Sequence, residues 1–309
     1  MPDLVTLGET MAALAPDRIG PLRLARRLGL SIAGSETTVA IGLRRLGHSA
    51  AWISRLGDDE LGALVRSTLQ AEGVEVHAPA DHEAPTGLML KERRTAEIRR
   101  AHYYRTGSAA SRLTPADLPP GLVESARILH AGAITLALSD DAAATVAEAI
   151  HRARFVSFGA NFRSKLWSAD AFRHAVLKLL PSINVLFASV DEARTLLRDT
   201  EGPPTALAAA LHDAGPDAVV LTMGADGAVS ADHDGIHQVP AVKVAETDPF
   251  GAGDSFVAGY LAAVLNRADA TTRLRIASNV AAFSVSADGD WEGLPTAAEL
   301  TTATTDINR

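Results

Sequence analysis

Asp248-Pro249-Phe250-Gly251-Ala252-Gly253-Asp254-Ser255-Phe256, with the apolar run Val257 to Leu265 directly behind it, is the most informative stretch of this chain. Gly251 and Gly253 flank Ala252 and allow a tight turn, so that several backbone N–H groups converge on one point. The apolar run reads as a buried helix whose positive dipole end faces the same point. Such a turn is a seat for an anion, above all a phosphate in transfer. Asp254 beside it repels a phosphate unless it has other work, and accepting a proton from an attacking hydroxyl is such work. The plain alternative is an ordinary loop with Asp254 as the helix N-cap.

Outward from this stretch, strand and helix patterns alternate. Short apolar runs of buried-strand type lie at Leu4–Gly8, Ala50–Leu56, Ile128–Ala131, Val156–Phe158, Val185–Ala188 and Ala218–Thr222. Helical spacing marks Glu36–Leu46, Asp59–Glu72, Asp140–Arg154, Ala169–Leu180, Val190–Leu197, Thr205–Ala214 and Leu274–Val285. That alternation predicts a mainly parallel sheet covered by helices on both faces. Two regions break it: Glu9–Leu30, without helix spacing, and Thr86–Tyr104, extended with a polar turn near Arg93–Glu97. Thr301–Arg309 reads as a frayed tail. Asp234-Gly235, between His233 and His237, reads as a hairpin turn rather than a metal site.

Composition bounds the function. The chain has 309 residues, 47% of them hydrophobic, enough for a sizeable core. A net charge of −8 gives a nucleic-acid partner no general support. No cysteine is present, which excludes disulfides, thiolate metal sites and a cysteine nucleophile. No signal peptide or membrane-spanning run is evident, so a cytoplasmic, soluble protein is the expectation. Neither a Walker A sequence nor a dinucleotide-type Gly-x-Gly-x-x-Gly occurs.

The 248–256 stretch resembles the C-terminal signature of the ribokinase-like (PfkB) carbohydrate kinases, Asp-Thr-x-Gly-Ala-Gly-Asp, with Pro249 in place of the common threonine. Gly34-Ser35-Glu36-Thr37-Thr38-Val39-Ala40, leading into Leu43-Arg44-Arg45-Leu46-Gly47, and the run Arg55 to Gly62 follow the family order. The resemblance implies an α/β, ribokinase-like three-layer α/β/α fold with a mainly parallel central sheet and a small β-sheet lid. It implies a single domain over 1–309, with lid segments at about 10–30 and 84–106 inserted in the core. It also implies ATP and Mg²⁺ as cofactors, Asp254 as general base, and the Gly251, Ala252, Gly253 backbone as anion hole.

Within that family, Tyr103-Tyr104-Arg105-Thr106-Gly107-Ser108-Ala109-Ala110-Ser111 and Asn161-Phe162-Arg163-Ser164-Lys165-Leu166-Trp167 are similar to elements of the 2-keto-3-deoxygluconate kinases. A guanidinium is the natural bidentate partner of a carboxylate, which an acid sugar has and ribose, fructose and adenosine lack. The resemblance thus places Gly34, Ser35, Thr38, Tyr103, Arg105, Arg163 and Asp290 on the sugar acid. On ATP it places Asn161, Arg163, Thr222, Gly224, Gly227, Asp248, Gly251, Gly253 and Asn279. Glu192 is expected to orient the waters of the metal, a helix-surface glutamate being the alternative. The lid segment also carries Lys91, Arg93, Arg94, Arg99 and Arg100, and its outer arginines read as part of a solvated strand pair rather than an RNA-binding patch.

Thr38, Gly159, Ser189 and Thr222 depart from the residues relatives usually carry. None removes the base or the anion hole. Beside a kinase for 2-keto-3-deoxygluconate, therefore, stand a kinase for a neutral sugar or nucleoside and a non-catalytic sugar- or nucleotide-binding module. A homo-oligomer through the lid is compatible with the resemblance, although no apolar stripe demands it.

Overall fold

The computed structural model describes residues 1–199 and 201–306. Its centre is a nine-stranded sheet. From one edge the strands run Gly235–Val239, Ala228–Asp232, Ala218–Thr222, Val185–Ser189, Val156–Gly159, Ile128–Gly132, Leu4–Leu7, Ala50–Ile53 and Glu75–His77. All neighbours are parallel except at the hairpins that join the first three. The second of these turns at Asp234-Gly235, as the sequence predicts.

Side chains alternate across this sheet with the two-residue period of a strand. Val5, Leu7, Leu129, Ala131, Leu186 and Ala188 join one core, under the helices Asp140–Arg152, Ala169–Leu179, Val190–Leu197 and Pro204–His212. Leu4, Trp52, Ile128, Val185 and Phe187 join the other, under Ser35–Arg45, Glu60–Ala71, Ala252–Leu265 and Ala270–Val285. Caps legible in the sequence start several helices. Asp59, Ser139, Ser168 and Asp269 each accept a first-turn N–H, satisfying a group the helix itself leaves unbonded.

The first strand, Leu4–Leu7, lies inside the sheet, third from one edge. The chain leaves it toward one edge, through Ala50–Ile53 and Glu75–His77, then returns to pair Ile128–Gly132 on its other side. This reversal of strand order opens a crevice at the C-terminal ends of the strands, where ligands of such sheets bind. Over it lies a second, four-stranded sheet made of Leu28–Ala33, Met11–Pro16, Leu88–Arg93 and Arg99–Tyr104 in that order. Met11, Ala13, Ala33 and Met89 form its own small core. The tail differs from its expectation: Ala297–Asp306 is a helix that covers most of Thr301–Arg309, and residues 307–309 lie outside those described.

Candidate active site

Helix Ala252–Leu265 begins at Gly251, which holds φ +76° and ψ −5° as its N-cap. The Ala252 N–H donates to the Pro249 carbonyl at 3.3 Å, and the first-turn N–H groups behind it carry the positive end of the helix dipole. Asp254 therefore sits inside the first turn, not at the cap. Asp248 fixes the turn that precedes it. Its Oδ1 accepts the Phe250 N–H at 3.3 Å and its Oδ2 the Gly289 N–H at 3.2 Å.

Asp254 is held from two other parts of the chain. Ser35 Oγ donates to Asp254 Oδ1 at 2.5 Å, and Asn161 Nδ2 donates to Ser35 Oγ at 2.8 Å. Asn161 has a left-handed backbone, φ +37°. Glu192 braces its segment: Oε1 accepts the Phe162 N–H at 2.7 Å and Oε2 the Ser189 N–H at 2.8 Å. Ser189 completes a capping box with Glu192, so the serine at this position does the capping work itself. Burial pushes the Asp254 carboxyl above the ordinary aspartate value. The Ser35 hydroxyl, Arg163 and Asn161 pull it back, and Glu192 pushes it further up.

Two clefts meet at this turn. The first, about 610 Å³, is lined by Thr222, Gly224, Gly227, Pro249, Ala252 and Gly253, with apolar side chains such as Val242, Val244 and Phe256. Ser278, Ala281, Ala282 and Val285 close it, an i, i+3, i+4, i+7 face of one helix. Asn279, expected on the nucleotide, is one position off that face and is not among the lining residues. Asn161 and Asp248, expected there too, are likewise absent from this lining. Their polar groups bond Ser35 and the anion turn instead. The second cleft, about 620 Å³, lies between the small sheet and the loop after Asn161. Arg99, Arg100, His102, Arg105, Arg163 and Lys165 line it, and no carboxylate does among the described residues.

The small sheet is tied to the core by charge, which corrects the expectation of a solvated strand pair. Lys91 pairs with Asp290 and lies 3.5 Å from Asp248. Arg99 bonds Asp248 at 3.1 Å and Arg93 bonds Asp288 at 2.9 Å. Only Arg94 and Arg100 of this group are exposed as expected. Asp290, expected on sugar hydroxyls, is thus engaged by Lys91; burial raises its carboxyl to about 6, against the pull of that ammonium. The signal for Lys91 was in the sequence: it shares strand phase with the buried Met89, two residues before it.

Arg105 is also committed. It forms a buried ion pair with Glu9, whose Oε1 accepts the Ser108 hydroxyl at 2.5 Å. Its Nε keeps no protein partner, and it stacks 5.7 Å from the Tyr103 ring. Sequence reasoning passed over Glu9 and Glu36, both buried acids at the crevice. Glu36 lies against the bare Cα atoms of Gly8 and Gly132, at the ends of strands Leu4–Leu7 and Ile128–Gly132. Burial, reinforced by Asp254, pushes its carboxyl up from 4.5 to about 8. Between those values the folded chain keeps a proton that the unfolded chain has lost, so stability falls as pH rises through this window. Glu36→Gln has no such proton, and its melting temperature relative to the natural chain is expected to climb between pH 5 and pH 9. A pH-independent difference in thermal unfolding would show that Glu36 is ionised throughout.

Of the residues expected around Asp254, Ser35 touches it directly. Gly34 caps the helix that carries Ser35, and Thr38 is buried one turn further on. Tyr103 and Arg163 line the cationic cleft.

A helix terminus, a half-buried aspartate and two flanking clefts thus meet at one turn, and the family model of the pfkB family carbohydrate kinases matches residues 1–297. The chain belongs to this family. The kinase is 36% identical over 305 residues to the 2-dehydro-3-deoxygluconokinase of Thermoproteus tenax, covering 97% of this chain and 93% of that one. It is 32% identical over 293 residues to the 2-dehydro-3-deoxygalactonokinase of Haloferax volcanii, covering 93% and 92%. A fructokinase of Klebsiella pneumoniae is 30% identical over 300 residues, covering 94% and 95%. Among solved structures, a PfkB protein from Polaromonas sp. JS666 superposes with a TM-score of 0.88 at 32% identity, covering 97% and 99% of the two chains. A putative ribokinase II from E. coli, in complex with ATP and Mg²⁺, reaches 0.91 at 22% identity, covering 99% and 100%, a likeness of fold. No helix of the described residues is long and apolar enough to cross a membrane.

Proposed function

We propose that this kinase transfers the γ-phosphoryl group of ATP to the terminal hydroxyl of an acid sugar, 2-keto-3-deoxygluconate or a close epimer, giving the 6-phosphate. The observation that carries the acid is the second cleft, cationic on every charged side and reaching the anion turn at Phe250. The relatives named for 2-dehydro-3-deoxy sugar acids support the same substrate class. ATP occupies the first cleft, with its adenine among the apolar side chains and its phosphates toward Gly253.

In this mechanism Asp254 accepts the proton of the sugar hydroxyl, oriented by the Ser35 hydroxyl that Asn161 holds in turn. The backbone N–H groups of Gly253 and Asp254 receive the charge that develops on the phosphoryl oxygens, that of Ala252 being bonded to the Pro249 carbonyl. Magnesium, brought by the nucleotide, neutralises phosphate charge when bound. Glu192 is the carboxylate that would serve its waters. Both its oxygens already accept backbone N–H groups, which leaves it a positioning role rather than that of a direct ligand.

The cleft residue that tests the acid is Arg163. It is exposed, and its hydrogen bond runs to the carbonyl of its neighbour Phe162. Arg163→Gln is expected to raise KM for the sugar acid about 10- to 100-fold, the value of a charge-assisted hydrogen bond, with the melting temperature unchanged. Arg105→Ala is the poorer test, because it strands the buried Glu9 and costs roughly 3–5 kcal/mol of stability. The function itself is tested by ADP release on 2-keto-3-deoxygluconate, its galactonate epimer, gluconate, fructose, ribose and adenosine. Turnover confined to the keto-deoxy acids is the expected result. Turnover on a neutral compound keeps the kinase and removes the carboxylate clamp; silence on the whole panel removes the proposed substrates.

A further inference from the structure

The hairpin Leu88–Arg93/Arg99–Tyr104 touches both the cationic cleft and the anion turn. Its strands pair Met89 with Tyr103, Lys91 with Ala101 and Arg93 with Arg99. The second strand lines the cationic cleft along its length, from Arg99 through Tyr103 to the following Arg105. The same hairpin reaches the anion turn through Lys91, in the middle of its first strand, and Arg99.

Lys91 is 5% exposed, an unusual place for a lysine on a small outlying sheet. Its ammonium pairs with Asp290, stands 3.5 Å from Asp248 Oδ2 and lies 4.7 Å from the centroid of the Phe250 ring. Each of these three residues belongs to the anion turn or supports it. Asp248 holds the N–H groups of Phe250 and Gly289. The backbone carbonyl of Asp290 packs against Gly251. Arg99 adds a second strut from the facing strand to Asp248. Without Lys91, the carboxylates of Asp248 and Asp290 would face each other with one cation fewer, and like charges in a buried place move apart or take up a proton.

We infer that Lys91 is a positioning residue, a latch through which the seating of the lid hairpin sets the backbone of the anion turn. Sugar bound under the Tyr103 end of the hairpin and the phosphoryl group held at Gly251 to Asp254 are thereby coupled. The inference rests on the kinase reading above. It gives the small sheet a task in the transfer step in addition to enclosing the sugar.

Lys91→Met keeps the length and removes the charge; Lys91→Arg keeps the charge. Arg93→Ala, at a pair whose Asp288 is largely exposed, is the control. With ATP, Mg²⁺ and whichever panel sugar the natural chain phosphorylates, Lys91→Met is expected to lose about 10- to 100-fold in kcat. A misplacement near 1 Å has that effect. Hydrogen exchange at the Phe250 and Gly289 amides should accelerate in the same variant. Lys91→Arg should restore most of both quantities, and Arg93→Ala should leave both near the natural values. An Lys91→Met enzyme with full kcat and a raised sugar KM alone overturns the latch, as does a loss that Lys91→Arg fails to rescue while amide exchange stays unchanged. Should Lys91→Met fail to fold, Arg99→Gln cuts the other strut, and unchanged exchange at Phe250 and Gly289 in that variant overturns the latch equally. The exchange readout needs no sugar, so a wrong substrate assignment and a wrong latch give different results.

Discussion

Asp254→Asn is expected to lower kcat by about 10²–10⁴, the usual cost of losing a positioned general base, while ATP affinity and the melting temperature stay near those of the natural chain. The asparagine side chain has the size of the aspartate, and its amide oxygen still accepts the Ser35 hydroxyl. What it cannot do is take a proton at neutral pH. The natural enzyme should also show an acid limb in its pH–rate profile. As the proposed base Asp254 has to be ionised, and burial raises its pKa, so activity is expected to fall at a pH above the ordinary aspartate value of 3.8. Steady-state kinetics of both proteins between pH 4 and pH 8 check the pair of expectations. Turnover of Asp254→Asn within a few-fold of the natural chain would remove Asp254 as base.

Gly251 and Gly253 are expected to fail in different ways when each is replaced by alanine. Gly251 sits at φ +76°, and a Cβ there drives into the backbone carbonyl of Asp290. Alanine at this position costs roughly 1–2 kcal/mol for the left-handed backbone alone, before the clash is relieved. Stability and turnover should therefore fall together. Gly253 has no such strain, and a Cβ there meets nothing within 4 Å. Inside a helix, alanine is favoured over glycine by about 0.5–1 kcal/mol, so Gly253→Ala should melt no lower than the natural chain. Its methyl nevertheless enters the first cleft, which Gly253 lines, at the end proposed for the phosphates. A fall in kcat/KM for ATP of about 10²–10³ is expected, the scale of losing one oxyanion donor. Thermal unfolding and kinetics of the two variants decide the matter. Parallel losses of stability, or full turnover in Gly253→Ala, would show that the open space at Gly253 is not where phosphate lies.

Much of this was legible before any tertiary information. The apolar runs at Leu4–Leu7, Ile128–Gly132 and Val185–Ser189 read as parallel strands because both faces are covered, and each position fills one core or the other. The backbone of the 248–256 turn was legible because its geometry is local: a glycine at positive φ, another at a helix start, an aspartate one residue later. The substrate side was harder. Arg105 read as a free guanidinium because its partner Glu9 lies 96 positions away, on the loop after the first strand. The outer lid arginines read as solvated because charge in a strand usually is, and the acidic partners of Arg93 and Arg99 lie in the last quarter of the chain.

The sequence by itself determined the α/β alternation, the turn at Gly251 to Gly253 and the aspartate behind it. These depend on side-chain period and on backbone freedom over a few residues, which any local stretch displays. The tertiary structure decided which groups hold that aspartate and which lock the small sheet. Ser35 meets Asp254 across 219 positions, and Lys91 meets Asp290 across 199. Such meetings follow from the order of strands in the sheet, where the chain leaves Leu4–Leu7 in one direction and returns in the other. No property of either segment alone encodes them; the shared crevice at the strand ends brings them together.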